Sequence, residues 1–206
     1  MSLLIKQIIY TEEITVIENL RLCMNKQTKQ CYKQIQLGVI PKITEEQAVQ
    51  QIGNYLVTES LFLATAESCT GGGVASAITD VPGSSQWFDR GFITYSNESK
   101  VEMLDVSRDS LSKYGAVSEQ VAAEMAAGTL INSRASYAIS VTGIAGPGGG
   151  TEQKPVGTVC FGWAKRNSTV FAGTVCLSGD RRQIRYQSVR YALGGLLERY
   201  FNSNLI

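Results

Sequence analysis

Two apolar runs constrain the fold of this chain more than any other feature. Residues 61–66 and 137–141 both read as buried strands, and both lead straight into glycine-rich loops. The first loop is TAESCTGGG, residues 65–73, with helix-like residues 74–79 beyond it; the second is TGIAGPGGG, residues 142–150. Short apolar runs alternating with helical periodicity call for a layered α/β domain. In such sheets ligands sit outside the carboxyl ends of the strands, so the two loops border the expected crevice.

The other elements agree with this plan. Thr44, with Gln47 three residues on, makes a capping box ahead of a stripe formed by Ala48, Val49, Ile52, Tyr55 and Leu56. A strand is expected within residues 87–95, centred on 91–95, then a helix over 98–104 capped by Asn97. Another helix starts at Ser118, with Val121, Ala122, Met125, Ala126, Leu130 and Ile131 as its apolar face. Residues 156–164 and 169–177 form a hairpin across a polar turn, which must be antiparallel and makes the sheet mixed. The last helix begins near Asp180 and buries Ile184, Val189, Ala192, Leu193, Leu196, Leu197 and Tyr200, despite Gly194 and Gly195 in its middle. Residues 1–40 are set apart as an extension from a domain over 41–206. They have weak helical periodicity over 12–22 and a polar Gln/Lys-rich stretch over 25–36, which suits a helical arm, a docking segment or unstructured chain.

Bulk properties exclude several classes. A length of 206 residues suits one domain, and a net charge of +1 gives no electrostatic reason to expect nucleic acid or an anionic membrane as partner. No apolar run approaches the ~20 residues of a membrane span. The N-terminus lacks the basic start and small-residue cleavage site of a secretory leader, so a cytoplasmic protein is expected. The five cysteines are Cys23, Cys31, Cys69, Cys160 and Cys176. Their odd count and the lack of any C-x-x-C pair signal neither a disulfide framework nor a zinc site. Cys160 and Cys176 lie in strand-like runs and are expected to be buried. The chain has no histidine, which removes Ser-His-Asp and Cys-His triads and the commonest metal ligand.

Any nucleophile must therefore be activated by Lys, Tyr, a carboxylate or the backbone. Ser68, on the first glycine turn, is the candidate, and the competing reading is a helix cap. Thr70 is better placed as that cap. Cys69 is a rival nucleophile, but no His is present to lower its pKa. Tyr95 closes a strand and Lys100 falls about one turn into the next helix, so both can face the crevice. A desolvated Lys can act as a base and a Tyr beside it can relay the proton, although both types are also common on surfaces. Arg181 and Arg185 share a face at the start of the last helix, where Arg forks and a helix N-terminus suit a phosphate or carboxylate; a solvated basic turn is the plain alternative.

The segments TAESCTGG, VPGSSQWFDRGFITYSNESK, YGAVSEQVAAEMAAG, SVTGIAGPGGGTEQKPVGTV and SGDRRQIR together resemble the CinA C-terminal domain family, over roughly residues 44–200. That resemblance implies a three-layer α/β/α sandwich, a homodimer, and hydrolysis of the carboxamide of nicotinamide mononucleotide to nicotinic acid mononucleotide and ammonia. It implies a catalytic Ser, Tyr and Lys at Ser68, Tyr95 and Lys100, with no cofactor or metal. Backbone amides of Thr70, Gly71 and Gly72 would then form the oxyanion hole. Thr142, Gly143 and Gly146, with Arg181 or Arg185, would hold the ribose phosphate. Whether Lys100 or Tyr95 is the immediate base stays open, as does a second reading: a catalytically silent member that binds a nucleotide or docks a partner.

Overall fold

The computed structural model describes residues 32–34 and 43–201. The expectations for residues 12–22 and most of 25–36 fall outside those residues. The strands are β1 (Tyr32–Gln34), β2 (Leu63–Glu67), β3 (Phe88–Ile93), β4 (Tyr137–Gly143), β5 (Thr158–Lys165) and β6 (Val170–Cys176). They form one sheet in the order β1-β6-β5-β4-β2-β3. β2 pairs in parallel with β3 on one side and β4 on the other, whereas β5 is antiparallel to both β4 and β6. The sheet is mixed, as the hairpin required. The carboxyl ends of β2, β3 and β4 all emerge at the same edge.

Helices cover both faces. On one side lie α1 (Glu45–Thr58), α2 (Gly73–Thr79) and α6 (Arg181–Leu196), packed on Leu63, Ile139, Val141, Phe161 and Trp163. On the other lie α3 (Asn97–Leu104), α4 (Arg108–Tyr114) and α5 (Glu119–Ile131). There Ala123, Ala126, Ala127 and Leu130 of α5 meet Ala64, Ala138, Ala164 and Ala172 of the sheet. Alanine on both partners lets α5 lie close to the strands, and α5 is buried almost all round. The three-layer α/β/α sandwich is thus built as expected. β2 has no exposed residue, because both of its faces are covered.

Local signals explain the ends of the elements. Thr44 caps α1 with the expected capping box, worth about 1 kcal/mol. Asp180 caps α6 in the same way, with Gln183 returning the bond. Of the two glycines within α6, Gly195 has a packing reason. The Trp163 indole lies where a Cβ on Gly195 would be, and its Nε1 donates to the Ala192 carbonyl at 2.8 Å. Beyond Leu196 the helix continues as a π-helical turn, Leu197–Phe201.

Several features differ from expectation or lie beyond it. Ser96, not Asn97, caps α3, since its side chain accepts from the Ser99 amide and Ser99 returns the bond. β3 lies within the expected 87–95 segment, but is centred earlier than 91–95. The helix α4 has too polar a sequence to show a stripe; Leu111 is its main apolar contact. Cys176 is exposed, whereas Cys160 is buried. Side chains on the Ala172 face of β6 continue as Thr174 and Cys176, both exposed, so the α5 layer does not extend over this end of the strand. The strand β1, from within the polar 25–36 stretch, pairs in parallel with β6. No helix among the described residues is long and apolar enough to cross a membrane.

Candidate active site

Ser68 is the first residue beyond β2, and its position is set by the sheet. Its amide donates to the Val141 carbonyl at 2.9 Å, while Thr94 on the other side donates to the Glu67 carbonyl at 2.8 Å. Alternation along β2 sends Ala64 and Ala66 toward α3 and α5, so Ser68 follows on that face. Cys69 turns the other way and joins the core on the α1, α2 and α6 side of the sheet.

Lys100 reaches Ser68 from α3. Its Nζ lies 3.1 Å from Ser68 Oγ, and donates to the Thr94 carbonyl at 2.8 Å and the Ser96 carbonyl at 3.4 Å. The cap at Ser96 makes this reach possible: it starts the helix one residue earlier than Asn97 would. Lys100 is then one turn in and folds back over the entering chain. The side chain is 1% exposed, and it takes part in no ion pair among the described residues. Burial without a carboxylate partner disfavours the ammonium and lowers the Lys100 pKa to about 8. Cys69 is moved the opposite way: burial pushes its thiol up to about 12, so it remains protonated at neutral pH.

Tyr95 stands apart from this pair. It is 63% exposed, and its hydroxyl accepts from Arg181 Nη2 at 3.3 Å. Among the described residues no hydrogen bond joins it to Ser68 or Lys100. Arg181 Nη1 also donates to the Gly146 carbonyl at 2.9 Å, so Arg181 links the Tyr95 segment to the second glycine loop. Arg185 points to the first loop, donating to the carbonyls of Cys69 and Thr70 at 3.1 and 2.7 Å. The amides at the start of α6 are capped by Asp180 and Gln183, which leaves that helix terminus less open to an anion than the arginine cluster alone suggests. Thr142 is buried, and its hydroxyl donates to the Ala116 carbonyl at 2.9 Å. Gly143 ends β4, and Gly146 adopts a φ of 79°.

Glu67 is the residue that pattern reading passes over. Its carboxylate is fully buried and accepts from the amides of Gly72 and Val74 at 3.0 Å and of Ala75 at 2.8 Å. It therefore caps α2 from the strand before it, a role the sequence pattern assigns to Thr70. The helix cap itself is Gly72, with φ 95°, and no side chain of its own is involved. The amides of this turn are thus unequally committed. Gly72 serves Glu67, Gly71 donates to the Ser68 carbonyl at 3.1 Å, and Gly73 donates to the Thr70 carbonyl at 3.1 Å. The Cys69 and Thr70 amides have no acceptor among the described residues. The only sequence signal for Glu67 is a carboxylate closing a buried strand just before a glycine turn and a helix.

The CinA C-terminal domain model matches residues 45–200. The chain belongs to the CinA C-terminal domain family. A relative in Escherichia coli K12, named nicotinamide-nucleotide amidohydrolase PncC, is 49% identical over 157 residues, covering 76% of this chain and 95% of that protein. A protein of the same name from Enterobacter agglomerans is 50% identical over 153 residues, covering 74% of this chain and 93% of that one. The crystal structure of competence/damage inducible protein CihA from Agrobacterium tumefaciens matches with a TM-score of 0.74 at 43% identity, over 78% of this chain and 98% of that one. The CinA match spans α1 to the end of α6 and so includes every site residue named above.

Proposed function

We propose that this chain is an amidohydrolase that converts nicotinamide mononucleotide to nicotinic acid mononucleotide and ammonia, with Ser68 as nucleophile and Lys100 as its immediate base. The observation that carries the reading is the buried 3.1 Å contact between Lys100 Nζ and Ser68 Oγ. As an ammonium, Lys100 donates to Ser68 and to two carbonyls. As a neutral amine, its two N–H groups serve the Thr94 and Ser96 carbonyls, and its lone pair faces the Ser68 hydroxyl. Depressing the pKa to about 8 puts that neutral form within reach near physiological pH.

The reaction then takes two steps. Ser68 Oγ attacks the carboxamide carbon as its proton passes to Lys100, and the tetrahedral oxyanion is met by the backbone amides of Cys69 and Thr70. Collapse breaks the C–N bond, and Lys100 returns the proton to the leaving ammonia. Water, deprotonated by Lys100, then attacks the acyl-Ser68 ester, and Lys100 passes that proton to the departing Ser68 Oγ as the product carboxylate is released. Gly71 and Gly72 contribute through the turn they permit rather than as free donors. Tyr95 and Arg181 sit on the rim near Gly146, and there Arg181 is our candidate for the ribose phosphate. The same proposal takes residues 41–206 as the catalytic unit and 1–40 as an extension that adds the edge strand β1 to its sheet, in a cytoplasmic homodimer.

The test is ammonia release from nicotinamide mononucleotide by wild type and by Ser68→Ala, with chelator present. Wild type is expected to turn over and Ser68→Ala to fall to background. A well-folded wild type that binds the nucleotide without releasing ammonia would favour the silent-member reading instead.

A further inference from the structure

We infer that Arg185 is a positioning residue for the nucleophile's turn, aiming the oxyanion-hole amides, rather than a ligand of the substrate phosphate. The inference rests on the amidohydrolase reading above. Arg185 Nε donates to the Cys69 carbonyl at 3.1 Å and Nη2 to the Thr70 carbonyl at 2.7 Å. These two groups form the side-on edge of the guanidinium, the edge that would otherwise grip a phosphate or carboxylate in two-point fashion. Here that edge is taken up by the protein's own backbone. The same guanidinium lies 3.6 Å from where a Cβ on Gly71 would stand, so it is packed against the turn.

The consequence follows from peptide geometry. In a planar trans peptide the carbonyl of one residue and the amide of the next point in opposite directions. Drawing the Cys69 carbonyl to Arg185 therefore turns the Thr70 amide away from Arg185. Drawing the Thr70 carbonyl the same way turns the Gly71 amide outward, where it donates to the Ser68 carbonyl at 3.1 Å. That bond in turn fixes the Ser68–Cys69 peptide and directs the Cys69 amide. One side chain thus sets three successive peptide planes, two of which carry the uncommitted amides next to Ser68. Glu67 anchors the far end of the same turn through Gly72, Val74 and Ala75.

The experiment compares Arg185→Lys and Arg185→Met with wild type on nicotinamide mononucleotide and on its phosphate-free nucleoside, nicotinamide riboside. If Arg185 positions the turn, kcat falls about 10²-fold for Arg185→Met on both substrates, the size of losing one oxyanion donor. KM should change little, and Arg185→Lys should recover part of the rate. A loss confined to the nucleotide and expressed as a raised KM would overturn the inference in favour of phosphate binding. Unchanged kcat in a variant with a lowered Tm would overturn it in favour of a purely structural role. A second readout does not need the amide substrate: phosphonylation of Ser68 by a fluorophosphonate, in which the P–O bond forms as fluoride leaves. Arg185→Met should slow labelling by a similar factor, and equal labelling rates would sink the inference. Wild type that is labelled but turns over neither amide would refute the substrate assignment while leaving the Arg185 inference to be judged by the labelling rates.

Discussion

The two glycine-rich loops look alike in composition, each following a buried strand, yet the structure treats them differently. The loop after β2 is tied at both ends. Glu67 accepts the Gly72 amide of the loop and the Val74 and Ala75 amides of the first turn of α2, and Arg185 holds two of the loop's carbonyls, so few of its backbone groups remain uncommitted. The loop after β4 is held more loosely. Arg181 reaches the Gly146 carbonyl, Ile144 exchanges bonds with Thr158 and Gly157, and open space lies where a Cβ on Gly148 would stand. Glycine serves the nucleophile-bearing turn in the first case; in the second, Gly143, Gly146 and Gly150 make room for Thr158 and Val156, and only Gly148, in the exposed stretch 147–150, faces open space. Chemistry that needs atoms placed to within a fraction of an ångström belongs with the first, and recognition of a variable substrate edge belongs with the second.

Breaking the tied loop should cost far more than altering the open one. After Ser68→Ala, the largest effect is expected from Lys100→Met, which removes the proposed base while keeping the buried stem. kcat should fall by about 10²–10⁴. Wild-type kcat/KM should climb as pH rises through about 8 if the neutral amine is the active form as proposed, and this limb should be missing from the variant's pH profile. A variant that keeps the rising limb would show that another group titrates.

Glu67→Gln comes next. The amide keeps one acceptor oxygen but turns an NH2 toward donors, so one or more of the Gly72, Val74 and Ala75 bonds is lost. Denaturant unfolding should show a loss of about 2 kcal/mol, with activity reduced as the turn relaxes. The smallest effects separate the loops directly. Gly72→Ala meets a φ of 95° and the Ile93 side chain at 3.2 Å, and should cost about 1–2 kcal/mol. Gly148→Ala meets neither, and should stay within about 0.5 kcal/mol of wild type. Equal losses from the two alanine variants would remove the distinction between the loops.

Much of the fold was legible because periodicity is a local property. The capping box at Thr44, the start of the last helix near Asp180, the apolar stripes and the hairpin all follow from residues within a few positions of one another. Helix α4 was hidden because a short polar helix held by one leucine leaves no stripe to read. The site was partly legible. Motif and resemblance single out Ser68 and Lys100, but their contact joins residues 32 positions apart and no local pattern requires it. The sequence puts Tyr95 beside Lys100. Its exposure and its bond to Arg181 place its hydroxyl on the rim instead.

By itself the sequence determined the inventory: an α/β domain, two glycine turns at strand ends, and a nucleophile that must do without histidine. These depend on residue identity and spacing, which the chain carries whether or not it is folded. Only the tertiary structure decided which polar groups are committed and which stay free. Glu67 consumes amides that glycine content alone would offer to an oxyanion. Arg185 spends its fork on carbonyls 115 and 116 residues away. A hydrogen bond satisfies its donor and excludes other partners, so the availability of each group is settled by whatever the fold brings next to it.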